Sequence, residues 1–150
     1  MTSPVRLRLS RRAGFNLQEH SRALNGLPAI VVARPTRWGN PFKVDGSWQE
    51  SFRALALIGN GSKAACRAAA VELYRRWLTV DVAAATITED KRDPWQREVM
   101  TVRIDRMPPT CEELAELRGA NLACWCSLPK EGEPDVCHAA VLLLVANEVP

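Results

Sequence analysis

The sequence lacks the features of a membrane-spanning or exported protein. Its apolar run near the C-terminus, residues 139–146, is much shorter than the roughly 20 apolar residues that a transmembrane helix needs. No hydrophobic segment follows the charged residues 1–12, so no secretory signal and no membrane association are expected. Because the five cysteines cannot all be paired, a disulfide framework is not expected either. These absences predict a cytoplasmic protein with free thiols.

Side chains that commonly act as acids and bases are also scarce. The chain contains two histidines and lacks the H-x-E and P-C-x-x-C signature of zinc-dependent nucleobase deaminases. It contains neither internal repeats nor low-complexity segments. The composition is that of an ordinary globular protein, with 47% hydrophobic and 25% charged residues. A chain of this length can build one sizeable core, so residues 1–150 are predicted to form a single domain whose oligomeric state the sequence does not indicate.

Basic residues are concentrated in the first third of the chain. Residues 1–43 carry a net charge of +7, whereas the remainder carries −4. Arginine suits phosphate because its planar guanidinium binds oxygens in pairs, which favours a basic surface that binds an anion. The alternative is a solvated basic segment that only keeps the protein soluble. The eight basic residues are Arg6, Arg8, Arg11, Arg12, Arg22, Arg34, Arg37 and Lys43.

Hydrophobic patterning predicts an α/β fold with a short sheet of about three or more strands flanked by helices. Residues 5–9 alternate apolar side chains with arginine, which is typical of an edge or half-exposed strand. Residues 29–33 form an apolar, β-branched run that predicts a more buried strand, and residues 121–126 predict another. Residues 10–27 are predicted to be a polar loop that can include a helical turn.

Four helical segments are predicted. Ser62 can cap a long helix, Thr110 and Glu113 form a capping box, and Asp135 is expected to cap the last helix. Residues 81–94 contain a charged run and are predicted to be a mobile insertion. The predicted segments are residues 62–78, a helix from about Pro94, residues 110–119 and residues 136–148.

Four metal-binding side chains lie close together near the C-terminus. Cys124 and Cys126 fall on one face of a strand because side chains alternate there, while Cys137 and His138 open a helix. Three cysteines and one histidine are a common closed zinc ligand set, although the C-x-C and C-H spacings are unusual. We predict zinc, or alternatively iron, at these four residues. Functional thiols without metal, or cysteines that are small core residues, are the alternatives.

A second cluster is the loop Arg34-Pro-Thr-Arg-Trp-Gly-Asn-Pro-Phe42, which follows a predicted buried strand. Ligand sites in α/β sheets lie at the carboxyl ends of strands. Arg34 and Arg37 can bind phosphate, Trp38 can stack on a base, and Asn40 can contact a base or orient water. The alternative is a rigid turn whose aromatic rings fill the core and whose Asn bonds its own backbone.

Several motifs together resemble a bacterial and bacteriophage family that is labelled only as a domain of unknown function. They are residues 34–42, 71–78 and 117–126, the Cys137-His138 segment, and the opening residues Arg11, Arg12, Gly14 and Phe15. The family usually has a shorter loop between its two cysteine motifs and an Asp two residues after the His, where this chain has Ala140. The resemblance implies a recurring site but names no reaction.

Two classes of function are consistent with these observations. In the first, the protein is an enzyme that acts on a nucleotide or modified base, with Arg11, Arg12 and the loop arginines binding the ligand. His138, Cys126 and Asn40 would then be the catalytic residues. In the second, zinc stabilises a module that binds nucleic acid without catalysis. An interaction protein without a small ligand is a third possibility.

Overall fold

The computed structural model describes residues 2–43, 62–79 and 107–148. The chain divides into two compact units, Met1–Gly39 with Pro109–Pro150 and Asn40–Pro108. The predicted insertion at residues 81–94 and the helix predicted from Pro94 lie outside the described residues. The helices described are α1 (Leu17–Asn25), α2 (Lys63–Thr79), α3 (Cys111–Ala115) and α4 (His138–Glu148).

The first unit contains a three-stranded parallel sheet. Its strands are β1 (Arg6–Arg8), β2 (Ala29–Val31) and β3 (Asn121–Cys124), arranged in the order β1-β3-β2. All four residues of the central strand β3 are buried, whereas β1 and β2 each expose a residue. A buried centre between two flanking parallel strands is typical of α/β folds. The predicted fold class, a short sheet flanked by helices, is confirmed.

Helix α1 corrects the prediction of a polar loop at residues 10–27. Asn16 caps its start, because the Asn16 side-chain oxygen accepts hydrogen bonds from the backbone of Gln18 and Glu19. Gly26 ends it in a left-handed conformation (φ 79°), which glycine adopts without steric cost. The helix was missed because its sequence is mostly polar, so its signal lies in these two caps rather than in an apolar stripe.

The sheet has a helix on each face. On one face, Leu7, Ala29 and Ala123 form a buried cluster, against which Leu17 of α1 packs. The side chains of Leu122 and Cys124 alternate to the opposite face, where α4 contacts β3 and β1. Parallel strands need such crossover helices, which explains why both faces are covered.

The edge of the sheet where the strands begin is closed by a network of uncharged polar side chains. Asn121 and Asn25 exchange two amide hydrogen bonds of 2.7 and 2.9 Å. Asn121 also accepts from the Val5 amide at 2.9 Å and donates to the Ser21 hydroxyl at 2.8 Å. Ser21 in turn donates to the Leu27 carbonyl. Every member therefore has a partner, as buried polar groups require.

Helices α3 and α4 pack on each other, and both are close to their predicted positions. The capping box of Thr110 and Glu113 is present at α3. Helix α4 begins at His138 rather than at about Val136, because the Cys137 carbonyl accepts the first helical hydrogen bonds. The predicted cap Asp135 is placed before this turn and binds an arginine of β1.

In the second unit, the predicted helix at residues 62–78 is confirmed as α2. The Ser62 hydroxyl accepts from the Ala65 amide at 3.2 Å, which caps the helix as expected. Its buried stripe includes Ala69, Leu73 and Trp77, spaced four residues apart. None of the helices within the described residues combines the length and apolar character needed to cross a bilayer.

Candidate metal centre

The predicted cysteine cluster lies at the carboxyl edge of the sheet, which we define as the loops that follow β1, β2 and β3. Strand β3 ends at Cys124, whose carbonyl accepts a 2.8 Å hydrogen bond from Leu9 just beyond β1. Residues 125–137 then lead to the start of α4. Ligand sites of parallel sheets occur at this edge, because loops from neighbouring strands meet there.

Three thiols meet in one small volume. The Sγ atoms of Cys124, Cys126 and Cys137 all lie within 4.8 Å of one another, and those of Cys124 and Cys137 are 3.1 Å apart. Cys124 and Cys137 are buried, whereas Cys126 is half-buried. Cys66 is buried in the other unit and Cys111 is exposed on α3. The structure therefore brings together the three cysteines that the sequence predicted as ligands.

The thiols in this cluster oppose one another's ionisation. Hydrogen bonding with the Cys124 thiol, then with the Cys126 thiol, and then burial raise the pKa of Cys137 far above its usual range. The pKa of Cys124 is also raised, chiefly by its hydrogen bond with Cys126. Several buried thiolates cannot coexist without a compensating cation. A bound metal ion supplies that charge and deprotonates its thiol ligands outright.

His138 is oriented so that its second ring nitrogen faces the cluster. Its Nε2 is 2.8 Å from the Val32 carbonyl oxygen. Because a carbonyl can only accept, we infer that Nε2 carries the proton and that Nδ1 is the ring nitrogen that can accept. Nδ1 lies 3.9 Å from Cys137 Sγ. Burial lowers the pKa of His138, which keeps the ring in the neutral form that metals bind.

Two of these distances can be compared with those of a tetrahedral metal site, although His138 is not among the three residues whose ligand atoms all lie within 4.8 Å of one another. Zinc bonds of about 2.3 Å to sulfur and about 2.0 Å to nitrogen place a ligand sulfur and a ligand nitrogen about 3.6 Å apart, and two sulfurs about 3.8 Å apart. The Cys137 to His138 distance is close to the first value. The Cys124 and Cys137 sulfurs would separate by several tenths of an ångström on binding. A backbone carbonyl on the distal ring nitrogen is a usual support for a metal-bound histidine.

Arg6 of β1 holds the loop that carries the ligands. Its guanidinium contacts both carboxylate oxygens of Asp135 at 2.6 and 2.8 Å and donates to the carbonyls of Cys126 and Ser127. It also lies 3.5 Å from Cys124 Sγ. The Arg6 side chain is only 3% exposed, so this residue, counted above among the predicted basic surface, belongs to the interior. No local pattern indicates this role of Arg6, because Asp135 is 129 positions away.

The residues of the loop after β2 differ in their exposure and in their ion pairs. Arg34 is exposed, and its charge contributes to the lowered pKa of His138, after the effects of burial and other neighbours. Gly39 packs against Arg34 so closely that a Cβ there would lie 2.6 Å from Arg34 Cγ. Arg37 binds Glu113 and Glu116 and covers the ring of Trp38, which is only 5% exposed. Of the two loop arginines predicted to bind the ligand, Arg34 is therefore the one whose position fits that prediction better.

Asn40 lies at the start of the second unit. Its side-chain nitrogen donates to the Ala70 carbonyl at 3.0 Å, and its oxygen accepts from the Phe42 amide at 2.9 Å. Phe42 is fully buried. These contacts match the alternative of a rigid turn in which the Asn bonds its own backbone. The predicted catalytic role of Asn40 and its proximity to His138 stay predictions, because the two residues belong to different units.

Sequence reasoning missed an exposed aromatic residue at this edge. Trp125, between two of the thiols, is 47% exposed, and the Arg11 guanidinium lies 4.7 Å from the centre of its ring. Arg12, the other predicted ligand-binding residue of this loop, is also exposed. The C-W-C spacing was the available signal, because the residue between two same-face cysteines must point away from them.

The fold and the cluster define a small α/β protein with a cysteine group that can hold a metal ion at the carboxyl edge of its sheet. The chain belongs to a family described as a domain of unknown function, DUF4326, whose model matches residues 15–148. This confirms the predicted resemblance, and the match includes the Arg34 to Phe42 loop and all three clustered cysteines. Neither a curated protein nor a solved structure matches the chain.

Proposed function

We propose that the protein binds zinc through Cys124, Cys126, Cys137 and His138, and that the edge so stabilised binds a phosphate-bearing ligand such as a nucleotide or modified base. The observation that carries the metal proposal is the meeting of three thiols within 4.8 Å. The Nδ1 atom of His138, 3.9 Å from Cys137 Sγ, is the proposed fourth ligand and is of the correct type. Iron is the alternative metal, since four-ligand sulfur-rich sites also accept it.

A site closed by four protein ligands favours a structural role for the metal. Catalytic zinc keeps one position open for water or substrate, whereas structural zinc is enclosed. The contact of the Val32 carbonyl with Nε2 holds the His138 ring in place, which supports a ligand role over that of a mobile acid or base. We therefore favour a zinc-stabilised binding module over an enzyme. Turnover that depends on His138 or Cys126 would reverse this preference.

The metal proposal is tested by elemental analysis of protein purified without an affinity tag. We expect about one zinc per chain, and Cys126→Ser should lose both the metal and much of the stability, because metal binding in such sites is coupled to folding. Cys111→Ser is the matched control, since that thiol is exposed and outside the cluster. The proposal would be refuted if the wild-type protein contained no metal and neither zinc nor a chelator changed its melting temperature.

A specific observation favours Arg34 as a phosphate contact. It is exposed at the carboxyl edge beside His138, and within the described residues it forms no ion pair. Arg37, by contrast, is already engaged by two glutamates. A nucleotide panel and short single- and double-stranded oligonucleotides should show binding that weakens with salt, because phosphate contacts release counterions.

Comparison of two variants sharpens this test. Arg34→Ala should weaken ligand binding more than Arg37→Ala does, because the Arg37 charge is compensated by Glu113 and Glu116. Neither change should unfold the protein, since exposed arginines contribute little to stability. If no nucleotide or oligonucleotide binds saturably, the ligand proposal is refuted. The remaining hypothesis is then a protein that interacts with other proteins without a small ligand.

A further inference from the structure

Trp125 is an exposed tryptophan in a protein that buries its other described tryptophans. Trp38 and Trp77 are 5% and 0% exposed, whereas Trp125 is 47% exposed. Its indole ring is covered on one side by the Arg11 guanidinium, at 4.7 Å from the ring centre. An exposed indole leaves apolar ring surface in contact with water. The ring of Trp125 at the sheet edge is therefore better suited to contact with a ligand than to packing in the core.

The arginine beside Trp125 has no acidic partner within the described residues. Arg11 and Arg12 are both exposed, and within the described residues neither forms an ion pair with an acidic side chain. Arginine beside an accessible aromatic ring is the usual composition of surfaces that hold unpaired bases, because the ring stacks on the base while the guanidinium stacks or meets phosphate. A paired base in a duplex cannot offer its face in this way.

We propose that Trp125 and Arg11 form a stacking platform for an unpaired nucleobase that carries phosphate, as in a single strand of nucleic acid or a free nucleotide. This inference rests on the proposed phosphate-bearing ligand and names its class. It also replaces Trp38, the residue predicted to stack on a base, because the ring of Trp38 is buried and covered by Arg37.

The metal site rigidifies this platform. Cys124 and Cys126 flank Trp125 directly, so binding of one ion by both residues fixes the backbone on each side of the ring. The Arg6 guanidinium adds a hydrogen bond to the Cys126 carbonyl at 3.0 Å. A preorganised side chain loses less entropy on binding, which increases affinity. Zinc-loaded protein should therefore bind an unpaired base more tightly than zinc-depleted protein does.

The test uses the zinc-loaded full chain and fluorescein-labelled oligonucleotides about as long as one turn of duplex, as a single DNA strand, a single RNA strand and a blunt-ended duplex without a loop, together with a mononucleotide as competitor. Trp125→Ala should weaken binding of the single strand roughly 5- to 150-fold, the range seen on removing one stacking aromatic side chain. Trp125→Phe should recover most of the affinity, because it keeps a ring. Arg11→Gln should also weaken binding and reduce its salt dependence.

Arg22→Ala is the matched control because it removes the same charge from an exposed position near the end of α1. That end lies at the opposite edge of the sheet, where Asn25 bonds Asn121 at the beginning of β3. Elemental analysis of each variant checks that zinc is retained. If Trp125→Ala loses zinc, the comparison of Arg11→Gln with Arg22→Ala decides the outcome.

Three results would overturn the inference in distinguishable ways. Equal affinities for Arg11→Gln, Trp125→Ala and Arg22→Ala would remove the platform and leave the ligand proposal standing. Duplex binding as tight as single-strand binding would do the same, because stacking requires an unpaired base. No binding of any probe by the wild-type protein would refute the ligand proposal itself. If the mononucleotide competes as effectively as the oligonucleotide, a free nucleotide is supported as the ligand. If it competes more weakly, a single strand is supported.

Discussion

The two edges of the sheet in the first unit contrast in their chemistry. At the edge where the strands begin, the side chains of Ser21, Asn25 and Asn121 are uncharged and bond one another completely. At the carboxyl edge, three thiols meet at distances that raise the pKa of two of them. The first edge is satisfied by its own hydrogen bonds, whereas the thiols of the second edge could hold a metal ion.

This contrast indicates which polar groups hold the fold together and which carry function. A saturated network such as that of Asn121 stabilises one arrangement and has no capacity left for a ligand. The three thiols at the carboxyl edge, by contrast, lie close enough together to hold a metal ion. The Arg6 fork links the two roles, because it satisfies the loop carbonyls and also lies beside Cys124.

The largest expected effect comes from removing Arg6. Arg6→Ala leaves the Asp135 carboxylate and two loop carbonyls without their donor, so it should cost about 2 to 3 kcal/mol of unfolding free energy, less than for a fully buried pair because Asp135 is 26% exposed. It should also weaken zinc binding, because the loop that carries Cys126 loses its anchor. Denaturant unfolding and zinc titration measure the two effects.

Arg8→Ala is the control for the Arg6 prediction. Arg8 lies two residues along the same strand but is exposed, so its removal should change stability by no more than about 0.5 kcal/mol. Arg6→Lys should not rescue the protein, since one ammonium cannot reproduce the forked contacts. Comparable behaviour of the Arg6 and Arg8 variants would contradict the role assigned to the fork.

A smaller effect is expected at the opposite edge. Asn121→Ala removes four hydrogen bonds and leaves buried partners unsatisfied, which should cost about 2 kcal/mol. Zinc stoichiometry should not change, because the metal ligands lie at the other end of β3. Asn147→Ala, at an exposed position of α4, is the control and should be nearly neutral. Loss of zinc from Asn121→Ala would show that the two edges are not independent.

The smallest effect is expected on the surface of α2, which sets the scale of an ordinary ion pair. The hydrogen bond from Arg75, and to a lesser extent that from Arg76, lowers the pKa of Glu72 below its ordinary value of 4.5. The stabilisation that the Glu72 carboxylate contributes to the folded protein is therefore fully present at pH values above 4.5 and is lost as the pH falls through the lower folded-state pKa. Glu72→Gln should cost about 0.5 kcal/mol at neutral pH.

Unfolding of wild-type and Glu72→Gln protein at pH 7 and pH 3 checks this sign. The difference between the two proteins should narrow at pH 3, and effects of acid on the metal site cancel in the comparison. A difference that widens at low pH would mean that the carboxylate is not stabilised in the folded protein.

The sequence predicted the elements whose signals are local. Helix α2 has a four-residue apolar spacing and is present where expected, and the capping box correctly marks the start of α3, which ends at Ala115 rather than at Gly119. Helix α1 was missed because Ser21 is its one fully buried residue, so no apolar stripe marks it. The caps Asn16 and Gly26 are the local signals that mark this helix within its polar sequence.

The site was predictable in its ligands but not in their support. The sequence predicted a strand through residue 126 and so placed Cys124 and Cys126 together; the strand ends at Cys124, and Cys126 joins the cluster from the bend that follows. The orientation of His138 depends on the Val32 carbonyl, 106 positions away, and no local pattern encodes that contact. Exposure of Trp125 and burial of Trp38 likewise follow from packing between distant segments.

X-ray absorption at the zinc edge tests the central claim most directly, because it counts the atoms bound to the metal. The account predicts three sulfur atoms at about 2.3 Å and one nitrogen atom at about 2.0 Å, with the nitrogen lost in His138→Ala. A first shell of four sulfur atoms, or one dominated by oxygen, would contradict the assignment of Cys124, Cys126, Cys137 and His138 as the ligands.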